Sequence, residues 1–132
     1  VLALSIGENM PFFEYRQNNS GGGFDYDTND GISVLVIIEA PDAETADFKA
    51  QRLGIYFDGI DAGVDCDCCG DRWYSARGEG DPVPSHYGKP LPEADVLKWG
   101  KWAPEGTPEG YVHYADGRIE GFAAFSLQKR GH

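Results

Sequence analysis

"GISVLVIIEAPDAETADFKAQRLG", residues 31–54, is the stretch on which the fold turns. Its first part, Ile32 to Ile38, is apolar and rich in β-branched side chains, which suits a strand buried on both faces or nearly so. Pro41 lacks a backbone donor and stops that strand. A helix is predicted next. Asp42 is a good N-cap, Glu44 and Asp47 place negative charge in the first turns, Arg52 sits in the last, and Gly54 is placed to end it. Ala43, Ala46, Ala50 and Leu53 share one face at helical spacing. The helix is therefore expected to lie flat on a sheet, its alanines allowing close approach.

Outward on both sides the chain reads as strands and turns. "MPFFEYRQ" has the start of a strand, and "NNSGGGFDYDTNDG" is a polar, glycine-rich connection with a flexible hairpin tip. "GIYFDGIDAG" is read as a short strand before the cysteines. Residues 76–110 hold six of the eight prolines and are expected to be irregular, broken by one apolar piece, "ADVLKWGKW". The final element is a hairpin in "YVHYADGRIEGFAAFSL", with Asp116-Gly117 as the turn and Ile119, Ala123, Phe125 and Leu127 alternating on one face. The expected class is α+β: an antiparallel sheet of about four or five strands with one main helix packed on it, plus a long irregular Pro/Gly-rich segment.

A length of 132 residues suits one domain with a modest core, and a 13% aromatic share argues against general disorder. Met10 is the only methionine, so residues 1–9 are set aside as a leader, an alternative start or a cloning remnant, and 10–132 are read as a single domain. "VLALSIGENM" lacks the basic region of a signal peptide, and the longest apolar run, Ile32 to Ile38, falls far short of a membrane span. Neither a membrane nor an exported location is expected. The 22 acids and 11 bases give a formal charge of −11, which repels nucleic-acid phosphates. Direct nucleic-acid binding is not expected; a basic protein partner would suit the charge. Residues 1–83 carry 16 acids and 5 bases while 84–132 carry 6 of each, so an anionic ligand would meet the C-terminal part more easily.

All three cysteines lie in "VDCDCCGDRWY", residues 64–74. One cluster cannot make a disulfide framework, and a bridge between neighbours is strained, so reduced thiols in an intracellular setting are expected. Cys66 and Cys69 have the C-x-x-C-G spacing of a zinc knuckle, with His86 and His113 as the remaining candidate ligands of a structural zinc; Cys68 could stand in for a histidine. Three thiols packed in a glycine turn is the reading placed first, structural zinc second, redox catalysis last, since only Arg72 is near to lower a thiol pKa. A calcium loop fails: Cys69 and Ala76 occupy its fifth and twelfth places.

"VLKWGKW" interleaves Trp99 and Trp102 with Lys98 and Lys101. Such a surface stacks a base and holds a phosphate; the competing reading, which is favoured, is two core-covering tryptophans with lysine stems passing them. If the protein takes a small anionic ligand, these four residues are the expected site. Asp81, Ser85 and His86 invite a triad, but no nucleophile elbow, phosphate loop or zinc-protease motif is present, and enzymatic activity is not expected.

Glu39 to Ala46, Gly54 to Gly59 and Asp65 to Trp73 together resemble small uncharacterised proteins of tailed bacteriophages, in which an apolar strand and an acid-capped helix precede "G-[IV]-Y-F-D-G" and a "D-C-x-C-C-G-D-R-W" turn. The resemblance covers about a third of the chain and carries no catalytic or binding residue with it. It implies a phage gene and the cytoplasm of an infected bacterium. In that setting the expected function is a non-enzymatic accessory protein that binds or sequesters a host protein or a small nucleotide-like ligand, including as counter-defence. The alternatives are a zinc-stabilised structural or assembly component, for which a homo-oligomer would be natural, and, ranked lowest, an acidic mimic of DNA.

Overall fold

A computed structural model describes residues 10–18, 24–65, 67–91, 108 and 110–122. In chain order the elements are β1 (Phe12–Arg16), β2 (Leu35–Glu39), α1 (Ala43–Leu53), β3 (Ser85–His86), β4 (Lys89–Pro90), β5 (Gly110–His113) and β6 (Ile119–Phe122). Four strands form one sheet in the order β1-β2-β5-β6, and β3 and β4 pair separately as a small hairpin. The class is α+β, as expected. The sheet is mostly antiparallel but mixed, because β2 and β5 run parallel while β1–β2 and β5–β6 are antiparallel. A parallel pair needs a crossover, and the long connection through α1 and the Pro/Gly-rich segment supplies it.

The helix forms for the reasons its sequence gives. Asp42 accepts a 2.7 Å hydrogen bond from the Thr45 amide, and Gly54, at φ 113°, turns its N–H back to the carbonyls of Ala50 and Gln51. Ala46 and Ala50 are wholly buried against Phe13, Tyr15, Val36, Ile38 and Trp73. The opposite face of the sheet carries a smaller cluster of Phe12, Leu35, Ile37 and Val112, joined by Leu91, Tyr114 and Phe122. β2 is thus covered on both sides, as its unbroken apolar run requires. Each large apolar side chain buried this way contributes about 1.5–3 kcal/mol.

One local expectation changes. "GIYFDGIDAG" forms turns, not a strand: Asp58 lies at φ 58°, and Tyr56 and Phe57 pack sideways on the helix-side core. Within the terminal hairpin the turn is where it was expected. Tyr114 N–H bonds to Arg118 (2.8 Å), Gly117 N–H bonds to Tyr114 (3.0 Å), and Gly117 takes φ 96°. Ile119 is exposed, and Ala123, Phe125 and Leu127 lie outside the described residues, as does the glycine tip at 19–23. No helix among the described residues is long and apolar enough to cross a membrane.

Candidate binding cleft at the edge of the sheet

β1 is an edge strand, and its backbone alternates. Phe13, Tyr15 and Gln17 direct their N–H and C=O groups toward β2, as the Gln17–Val34 bond at 2.8 Å shows. Phe12, Glu14, Arg16 and Asn18 direct theirs outward. The outward groups are tied down at both ends: Phe12 exchanges two bonds with Asp81 (2.8 and 2.9 Å), and the Asn18 amide donates to Arg72 (2.8 Å). Between these ties β1 advances six residues, 12 to 18, while the facing arm uses nine, 72 to 81. The arm cannot stay in register and bows away. A cleft of about 410 Å³ is left between Glu14 and Arg16 on one side and Tyr74, Ser75, Ala76 and Arg77 on the other. The N–H and C=O of Glu14 and Arg16 make no hydrogen bond among the described residues.

The side chains at this edge form a fixed unit. His86 Nδ1 donates to Glu14 Oε2, while Glu14 Oε1 accepts from Arg16 Nη1 at 2.9 Å and from the Tyr87 amide at 3.0 Å. The Arg16 guanidinium stacks 4.3 Å from the centre of the Tyr87 ring. Tyr87 is exposed and held at φ 54°; with Gly88 at φ 82° it makes the two-residue turn of the β3–β4 hairpin. A non-glycine residue there costs about 1–2 kcal/mol, and the contacts with Glu14 and Arg16 offset it. Asp81, which closes one end of the cleft, has its carboxyl raised above the usual range, first by burial and then by the Glu14 charge.

The two histidines among the candidate metal ligands are not brought together. His86 packs over the face of β1 that carries Glu14. His113 pairs with Ile38 and so points to the opposite, helix-side face. There its Nε2 donates to the Gly31 carbonyl at 2.8 Å. Burial lowers the His113 pKa, offset in part by that carbonyl and by Asp30. Gly31 sits at φ 75°, and a Cβ there would lie 2.8 Å from His113 Cε1, so the close approach requires glycine. Cys69 is a free, exposed thiol. Cys68 Sγ lies 3.5 Å from Cys69 Sγ. Cys66, Lys98, Trp99, Lys101 and Trp102 lie outside the described residues. Among the described residues no group of three or more His, Cys, Asp or Glu side chains is arranged to hold a metal ion.

Two of the acids beside the cysteines, Asp65 and Asp71, are structural. The side chain of Asp65 is covered and accepts from Tyr56 Oη and from the Arg72 amide, each at 2.8 Å. Asp71 accepts from the Ile60 amide at 2.9 Å. Asn18 Nδ2 reaches the carbonyls of Cys69 (2.6 Å) and Asp71 (3.2 Å), fastening the turn to the end of β1. A Cβ on Gly59 would fall 1.9 Å from Asp65 Oδ2. Trp73 is buried in the main core. Residues 65–73 therefore form the turn that is fastened to the end of β1 and leads into the arm facing the cleft.

Glu14, Arg16, Tyr74 and Arg77 were not singled out by sequence. A signal existed: "FFEYR" places Glu14 and Arg16 on the same side of a strand as Phe12, and Arg16 and Arg77 are two of the five bases before residue 84. A second, more apolar hollow of about 650 Å³ lies on the face opposite the helix, between Val83, Pro84, Leu91, Val112, Tyr114 and Phe122. No curated protein and no solved structure matches the chain. A family model described as a domain of unknown function matches residues 10–130. By that match the chain belongs to the family DUF7296.

Proposed function

We propose that this is a non-enzymatic accessory protein of a phage, acting in the infected bacterial cytoplasm, that captures a host protein through the cleft beside β1. The observation that carries the reading is the pre-organised rim: Arg16, bonded to Glu14 and stacked on Tyr87, faces exposed Tyr74 and Arg77 across the opening. Tyrosine and arginine are the side chains that most often anchor protein interfaces, and rigid ones lose little entropy on binding. The phage setting is supported by the resemblance of the 39–73 stretch.

The test is site-specific photo-crosslinking in bacterial extract, with p-benzoylphenylalanine replacing Tyr74 and, as a control, replacing Phe48, which is exposed on α1. A discrete protein adduct from position 74, absent from position 48 and removed by Arg77→Glu, is the expected result. Identical adducts from both positions, or none from position 74, would overturn the reading.

A further inference from the structure

We infer that the cleft takes an extended peptide backbone, added as a strand antiparallel to β1 and pairing with Glu14 and Arg16; this deepens the proposed binding role and rests on it. The four main-chain groups of Glu14 and Arg16 are aligned on one edge and make no hydrogen bond among the described residues. Native strands rarely leave such an edge open, because it is a template for another chain. Here it is protected from indiscriminate pairing by the ties at Phe12–Asp81 and Asn18–Arg72, which bracket it. The ties also set ligand size. Six residue steps of strand span about 20 Å, and the stretch opposite Glu14 to Arg16 accommodates three extended residues, about 10 Å.

The direction follows from the ends. Phe12 and Asp81 already form an antiparallel bridge, so an antiparallel insert continues the same hydrogen-bond alternation through Glu14 and Arg16. Residues of the insert opposite these two each exchange an N–H and a C=O, and the residue between them faces the arm. Charge does not select the ligand, because Glu14 and Asp81 line the same cleft as Arg16 and Arg77. Backbone is what the site is shaped to read, as in other cases of strand addition.

The probe is a random heptapeptide library selected on the immobilised full chain, with enriched peptides then made synthetically. Binding should shift the Glu14 and Arg16 amide resonances. Single N-methylation should weaken binding at least about tenfold at alternate peptide positions only, since every second amide faces β1. Ser75→Trp, which fills the exposed wall of the cleft, should abolish binding with an unchanged melting temperature. Four results would overturn the inference: no enriched peptide, N-methylation tolerated throughout, equal binding by Ser75→Trp, or shifts confined to Val112 and Phe122 in the apolar hollow. If the crosslink from position 74 persists while any of these is found, the binding role stands and strand addition falls.

Discussion

Gln17 is fully buried, and it holds the edge of the molecule together. Its Nε2 donates to the carbonyls of Asp25 (3.0 Å) and Ser33 (2.9 Å), and its Oε1 accepts from the Asp25 amide (2.5 Å) and Arg72 Nη1 (2.9 Å). Leucine fits the volume and leaves those groups unmet, so Gln17→Leu should cost about 3 kcal/mol, read as a lower urea midpoint. A change within 0.5 kcal/mol would mean that water replaces the amide without loss. His113 sets a pH dependence of known sign. Burial holds its folded-state pKa below the usual value of about 6.5, so below that pH the unfolded chain binds more protons than the folded one. Stability should be fully present above about pH 7 and fall as pH drops through 6.5 toward the folded pKa. Urea midpoints at pH 7.5 and 5.5 should differ less in His113→Gln than in the parent; an equal difference would assign the effect elsewhere. Neither residue's role was legible in sequence, because a satisfied buried polar group looks the same as an exposed one until its partners are placed. His113 invited a metal reading for the same reason.

At the scale of elements, α1 was the most legible, since its cap, its alanine face and its terminating glycine are all local and all agree. β1 was legible as a strand but not as an edge. Edge status has a measurable consequence: amide exchange at Glu14 and Arg16 should be at least about a hundredfold faster than at Phe13 and Tyr15, which bond to β2. Equal protection along the strand would mean that the outward groups are covered. The arm from Arg72 to Asp81 could not be read as a cleft wall, because its bow arises from a mismatch of residue counts between two distant ties. The aspartates around the cysteines were not legible as turn-formers either: in the fold Asp65 and Asp71 accept backbone amides and shape the turn.

For the whole molecule, the sheet order β1-β2-β5-β6 buries β2 from both sides, with α1 and Trp73 on one face and residues of the 81–91 segment on the other. This is why the Pro/Gly-rich segment, which has little regular structure of its own, can still belong to the core: Ser85 and His86 are buried, and Leu91 packs on Ile37 and its neighbours. The acidic charge of −11 is set by composition. By itself the sequence determined what depends on neighbours along the chain: the buried strand at 35–39, the helix at 43–53, the hairpin turn at Asp116-Gly117 and the α+β class they imply. Only the tertiary structure decided that β2 and β5 run parallel, that His86 and His113 stand on opposite faces, and that Glu14 and Arg16 open onto a cleft. Each of these depends on which strand lies beside which, and strand neighbours are chosen by burial and hydrogen bonding across the molecule, between residues far apart in the chain.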